Sequence, residues 1–209
     1  PRTKEIVKND LSLYYSVISH LDAQVGRIVK ALKKTGEWDN TILIFSSDHG
    51  LAMGSHGLRG KQSMYEHTVN VPLIMVGPGI PADTLSNAQC YLRDLYPTSC
   101  DLAGVPIPKT VEGKSLKPVL SGQQDAVYDE VYCYFRNFQR MIRTDRWKLI
   151  YYPHLDRVQL FDLKNDPLEQ HDLSGEAAHQ QVRGKLLDQL NDWRKQQDDP
   201  SLKQTAENS

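Results

Sequence analysis

The sequence has no apolar run approaching the roughly 20 residues that span a bilayer. Its longest runs, Thr41–Phe45 and Val71–Val76, are the length of buried strands. Clusters of Lys and Arg are also missing. With 25 cationic residues against 26 acidic ones the formal net charge is −1, which argues against a chain that holds nucleic acid by neutralising many phosphates. Cysteine is scarce. Cys90, Cys100 and Cys133 are odd in number and unrelated in spacing, so they form neither a disulfide framework nor a Cys-x-x-Cys metal site, and they read as buried or half-buried free thiols. No Asn-x-Ser/Thr sequon with a permitted middle residue occurs, which disfavours a glycosylated eukaryotic secretory protein. The chain opens on Pro1-Arg2-Thr3-Lys4 without Met or an apolar h-region, so a secretory signal is expected to be absent or removed. Internal repeats and low-complexity tracts are lacking too. What remains is the expectation of a soluble globular chain, 209 residues long and 39% hydrophobic, enough for one large domain or a medium and a small one.

The apolar residues Leu11, Tyr14, Tyr15, Ile18, Leu21, Val25, Ile28, Val29 and Leu32 recur at three- and four-residue steps, one broad face of an amphipathic helix. Thr35-Gly36 should stop it. After the Asp39-Asn40 turn signal, Thr41–Phe45 is a continuous β-branched and aromatic run of the kind covered on both faces. A helix feeding such a strand reads as an α/β unit. A second strand is expected over Val71–Val76, and helical spacing returns over Asn87–Ala103 before Gly104. Val105–Gly122 has the texture of a surface connection. Beyond it Val127–Phe135, Met141–Arg143, Trp147–Tyr152 and Val158–Phe161 fit an antiparallel meander of short strands. A last helix over Glu176–Gln196 should pack through Val182, Leu186, Leu187, Leu190 and Trp193, and the polar tail from Gln197 should fray.

Asp48, His49 and Gly50 follow the first strand. Ligands of open α/β sheets bind beyond the carboxyl ends of strands, so position alone makes these residues candidates. Asp and His supply an anionic oxygen and an imidazole nitrogen, both usable by a divalent cation, and Gly50 permits a sharp turn. A plain turn, with Asp accepting backbone amides beside a solvated His, is the competing reading of the dipeptide. A cation also needs four to eight ligands, so others must come from elsewhere. Downstream, Gly54, Gly57 and Gly60 alternate with His56, Arg59 and Lys61, a glycine-rich backbone with interspersed cations suited to a tetrahedral oxyanion.

The string from Asn40 to Gly50, then Gly54-x-His56-Gly57, Gly60-Lys61, Tyr65-Glu66 and Val71-Pro72-Leu73-Ile74, resembles the C-terminal half of the type I sulfatases, members of the alkaline phosphatase superfamily. So do Asp94–Thr98, Leu102-Ala103-Gly104, Glu112–Leu116, Arg140–Ile150 and Leu160–Gln170. The resemblance runs from about Leu11 to Leu173. It implies the C-terminal part of an alkaline-phosphatase-like α/β sandwich over residues 1–122, then a small antiparallel β-sheet subdomain with a C-terminal helix over 123–209. It also implies hydrolysis of a sulfate monoester, with Asp48 and His49 as ligands of a divalent metal, Ca2+ in most of the family, and Lys61 on the sulfate ester. Many sulfatases have Asn at the position of His49, and some have His. His56 and Arg59 are candidates for substrate contact, whereas Glu66 and His67 read as structural. Tyr132, Tyr134, Phe135 and Arg136 are candidates for choosing the alcohol part of the substrate.

The resemblance also defines a lack. The family's nucleophile is a formylglycine made from Cys or Ser in Cys/Ser-x-Pro/Ala-x-Arg, but the three cysteines here begin Cys90-Tyr-Leu-Arg, Cys100-Asp-Leu-Ala and Cys133-Tyr-Phe-Arg. The formylglycine is therefore expected in a missing N-terminal half of the same enzyme, which becomes the main partner of this chain besides the sulfate ester. The 209 residues are expected to be inactive alone and to show poorly covered apolar residues where that half docks. Neither nucleic acid nor a membrane span is expected. Two alternatives stand: a fragment of a phosphonate or phosphodiester hydrolase of the same superfamily, and a noncatalytic structural module. Sulfatases are often periplasmic, lysosomal or secreted, and the missing sequons favour a bacterial protein, so a periplasmic or secreted bacterial one is expected.

Overall fold

A computed structural model describes residues 3–202. They form two compact units, one comprising the residues up to 61 together with 70–84, the other 62–69 and the residues from 85 onward.

The first unit opens on helix α1, Lys4–Thr35. It begins earlier than the apolar stripe because Thr3 Oγ1 accepts the Ile6 amide at 3.3 Å, capping an end that Glu5 further favours. Gly36 closes it in the left-handed conformation, with Lys33 and Lys34 in the last turn. Strand β1, Leu43–Ser46, pairs antiparallel with β2, Leu73–Val76, in the register Leu43↔Val76 to Ser46↔Leu73. Gly77 leaves this pair at φ +145°, where a Cβ would lie 2.5 Å from Thr41 O, so only glycine fits the crossing. Cover is thinner than the apolar run promised. Every residue of β1 is half-buried, β2 alternates between half-buried and exposed, and α1 buries none of its residues.

The second unit is built on a four-stranded antiparallel meander. Its strands are β3 (Val131–Phe135), β4 (Gln139–Arg143), β5 (Trp147–Tyr152) and β6 (Arg157–Asp162), in sequence order. Successive residues serve opposite faces. Ile142, Leu149, Tyr151, Val158 and Leu160 join Leu186 and Leu190 of helix α5, Gln180–Gln196, with Val182, Leu187 and Trp193 packed around them. Met141, Ile150 and Phe161 turn the other way, toward Met64, Leu163, Tyr65 and Val69; Val69 ends the short helix α2, Glu66–Val69. Each sheet face is thus covered, which is why the inner strands are buried without alternation.

Lys148, fully buried, lies 2.9 Å from Glu66 Oε1 and 2.8 Å from Glu169 Oε1; the first contact is a hydrogen bond and the second an ion pair outside hydrogen-bond geometry. Burial opposes ionisation of Glu66, but Lys148 and Arg143 outweigh it and its pKa is lowered. At Glu169 burial prevails over Lys148 and the pKa is raised. Glu66 is thereby held in a packed ionic cluster.

Two expectations are corrected. The helix read over Asn87–Ala103 is only α3, Leu95–Leu102, after a 3-10 turn at Leu92–Asp94. The buried Asp94 carboxylate accepts the Tyr91 amide at 2.7 Å while Tyr91 stays extended, so no helix forms before it. The same carboxylate accepts the Lys114 amide and the Tyr128 hydroxyl, both at 2.8 Å, and draws in the Val105–Gly122 connection, which carries the short helix α4, Lys117–Leu120. The second correction concerns the tail. Asp199 and Ser201 are buried, and Asp199 accepts Arg140 Nε and Nη2 at 2.5 Å each and Arg194 Nε at 3.2 Å. These charge-assisted bonds hold the chain through at least Ser201. The rest of the tail expected to fray, residues 203–209, lies outside the described residues.

Candidate active site

Asp48 and His49 stand just past the carboxyl end of β1. The turn is fixed from within: Ser47 Oγ donates to His49 O at 2.9 Å, and the His49 amide donates to Asp48 Oδ1 at 3.0 Å. His49 Nδ1 is 3.1 Å from Gly50 O. A carbonyl oxygen only accepts, so Nδ1 carries a hydrogen, and in the neutral ring Nε2 is then the acceptor. Nε2 lies 3.3 Å from Asp48 Oδ2.

The following loop folds back on itself. The Ala52 amide donates to Gly60 O at 3.0 Å and the Gly54 amide to Leu58 O at 2.8 Å. Closing the loop returns the chain to its start, and Lys61 Nζ comes 2.6 Å from His49 Nε2. Helix α1 braces it. Arg59 pairs with Asp10 of α1, and Gly54, at φ +104°, lies so close that a Cβ would stand 2.6 Å from Val7 Cγ1.

Asp48, His49 and Lys61 are therefore brought together, with the Asp48 side chain 75% and that of His49 29% exposed. Arg59 is engaged with Asp10. His56 occupies the tip of the loop at φ 52°, within a 3-10 turn over Ser55–Gly57. Sequence reasoning did not single out Asp10 or Val7; both lie among polar neighbours near the start of α1, roughly fifty residues before their partners, and carry no local signal of a role.

Asp48 and His49 offer two donors for a cation. A separation of 3.3 Å suits two neighbouring ligands of one ion at metal–ligand distances of about 2.0–2.6 Å. Among the described residues no group of three or more His, Cys, Asp or Glu could hold a metal. The pair fits as part of a coordination shell. Cys90 and Cys133 supply no activated nucleophile: burial pushes their thiols up, Asp94 adding to the effect at Cys90, which disfavours the reactive thiolate.

The chain as a whole is similar to known proteins. The sulfatase family model matches residues 1–105, and that of the N-sulphoglucosamine sulphohydrolase C-terminal region matches residues 54–196. An N-acetylglucosamine-6-O-sulfatase of Bacteroides thetaiotaomicron is 35% identical over 208 residues, covering 92% of this chain and 37% of that protein. BT4656, solved in complex with its substrate D-glucosamine-2-N,6-O-disulfate, aligns with a TM-score of 0.80 at 32% identity, covering 88% of this chain and 40% of the other. The phosphonate monoester hydrolase of Agrobacterium radiobacter aligns with a TM-score of 0.76 at 29% identity, covering 88% and 41%. The chain thus spans 37% to 41% of the length of these relatives. The fold is of the alkaline-phosphatase-like α/β class, with the small antiparallel sheet and terminal helix anticipated from the sequence. Matched by sulfatase models from its start to Gln196, the chain belongs to the sulfatase family and carries its C-terminal portion.

Proposed function

We propose that this chain supplies one side of the active site of a sulfate monoester hydrolase. The observation that carries the reading is the convergence of Lys61, His49 and Asp48 within 3.3 Å steps at the end of a strand, in a chain of this family. Asp48 Oδ2 and His49 Nε2 would hold a divalent cation, Ca2+ by family resemblance, once Lys61 Nζ turns from Nε2 to the ester, with the other ligands coming from chain beyond these residues. When bound, the cation supplies Lewis-acid polarisation of the ester oxygens. Lys61 donates N–H to the sulfuryl oxygens and balances charge that grows as the S–O bond breaks. The Gly50 carbonyl holds the His49 ring so that Nε2, not Nδ1, faces the site. Arg59 keeps the loop on α1, and His56 at its tip faces the alcohol part of the substrate. The sulfated amino sugars of the relatives mark the substrate class this reading favours.

The nucleophile, a formylglycine by family resemblance, would come from an N-terminal half of the same enzyme. Bare apolar surface supports this. Leu13, Val17, Leu21 and Ile28 recur along α1 at 48–65% exposure, and Ile74 and Val76 of β2 are also exposed, a face that further chain would cover.

A second reading, hydrolysis of a phosphonate or phosphate ester, is favoured by the likeness to the Agrobacterium enzyme. Rates of the full-length enzyme on an aryl sulfate and the matched aryl phosphonate decide between them. A higher kcat/KM on the sulfate supports the first reading, and a higher value on the phosphonate replaces it.

A further inference from the structure

The second unit contains a cleft of about 510 Å³ that no residue of the Asp48–Lys61 group lines. Its size falls within the ~300–1,000 Å³ of small-molecule sites. Two tyrosines form one wall, Tyr91 and Tyr128 meeting edge to face with centroids 5.0 Å apart. Each carries a cation: the Arg93 guanidinium is 4.5 Å from the Tyr91 centroid, and Lys114 Nζ is 4.2 Å from that of Tyr128. Tyr132 and Trp193, stacked at 5.0 Å, line the cleft as well, with Asp129 and Glu130.

These groups are fixed before any ligand arrives. Tyr128 donates its hydroxyl to the buried Asp94 at 2.8 Å, and the Tyr132 amide donates to Tyr91 Oη at 2.7 Å. Lys114 Nζ donates to Val127 O at 2.8 Å, Tyr132 Oη donates to Glu130 at 3.1 Å, and Arg93 pairs across 3.4 Å with Glu112. A preset site loses less ordering entropy on binding.

The lining selects a chemistry. A bare anion would meet the two cations but also Asp129 and Glu130, and an apolar molecule would strip water from four charged groups without replacing it. A ligand with an anionic group for Arg93 and Lys114, hydroxyl or ammonium donors for the two acids, and a C–H face for the aromatic rings satisfies all three. We propose that this cleft is a noncatalytic binding site for a sulfated amino sugar. The choice of sulfate and amino sugar rests on the substrate class of the proposed function, whereas the cleft itself is built without Asp48, His49 or Lys61.

The test is calorimetric titration of the full chain, carrying Asp48→Asn and Lys61→Ala so that the other site does not contribute. The probes are glucosamine 6-sulfate, glucosamine and inorganic sulfate. Saturable binding is expected for glucosamine 6-sulfate, at least tenfold tighter than for either component. Arg93→Gln with Lys114→Gln, both exposed positions, should weaken it by about tenfold or more while leaving the melting temperature in place, and Trp193→Phe should preserve it. The proposal is overturned if the sulfated sugar shows no saturable binding, if inorganic sulfate binds equally well, or if the double variant binds like the parent.

Discussion

Lys61 Nζ lies 2.6 Å from His49 Nε2 although twelve residues separate them. The contact is made by a loop that closes through Ala52–Gly60 and Gly54–Leu58 backbone bonds and rests on α1. An ammonium, an imidazole and a neighbouring carboxylate thus share one small volume.

The close approach of Gly54 to Val7 makes the loop sensitive to one methyl group. Gly54→Ala would place a Cβ 2.6 Å from Val7 Cγ1 at a φ of +104°, costing about 1–3 kcal/mol from overpacking and a similar amount from backbone strain. Thermal denaturation should show the loss, and adding Val7→Ala should restore only the overpacking part. Full recovery in the double variant would show that backbone strain at residue 54 is negligible.

Acid should weaken the second unit through Asp162. Hydrogen bonds from Arg146 lead in holding its pKa at about 2, against the opposing effect of burial, with Asn165 assisting. A carboxyl whose pKa is lower folded than unfolded stabilises the fold above the unfolded value, and that contribution disappears as pH falls through the folded value. The window is therefore between about pH 4 and pH 2. Glu169, with its raised pKa, acts in the opposite sense as pH falls. Melting temperatures followed across this window should drop less steeply in Asp162→Asn than in the parent; equal slopes would remove Asp162 from the account.

The 209 residues alone should not turn over an aryl sulfate. Cys90 and Cys133 have thiols pushed up by burial, none of the three cysteines begins the formylglycine motif, and Asp48 with His49 makes only two metal donors. A pure preparation assayed with excess Ca2+ should match the uncatalysed rate. Turnover above that background would show that a nucleophile exists within this chain.

Much of this arrangement was legible from local pattern. Thr35-Gly36 ends α1, the runs at Thr41 and Val71 form the β1–β2 pair, and the turn residues between the later aromatic runs separate four meander strands. The meeting of Lys61 with His49 was legible only as a motif, since spacing says nothing of the loop closure that joins them. What spacing missed depended on polar groups far apart in the chain. Asp94 captures the Tyr91 amide and shortens α3, and Asp199 reaches Arg140 across 59 residues and keeps a polar tail packed. Lys148 is an ordinary strand lysine in sequence, yet it is fully buried because Glu66 and Glu169 converge on it from 82 residues upstream and from beyond β6. Hydrophobic periodicity describes how elements bury apolar faces and carries no information about such pairs.

The central claim is that Lys61 acts on the sulfate ester beside Asp48 and His49. Steady-state hydrolysis of an aryl sulfate by the full-length enzyme and its Lys61→Ala variant tests it most directly, with melting temperatures measured in parallel. The account predicts that kcat falls by about 10²–10³ while the melting temperature stays within a degree or two, because Lys61 is exposed and surface substitutions usually change stability by about 0.5 kcal/mol or less. A variant that folds normally and retains the parent's kcat and KM would contradict it.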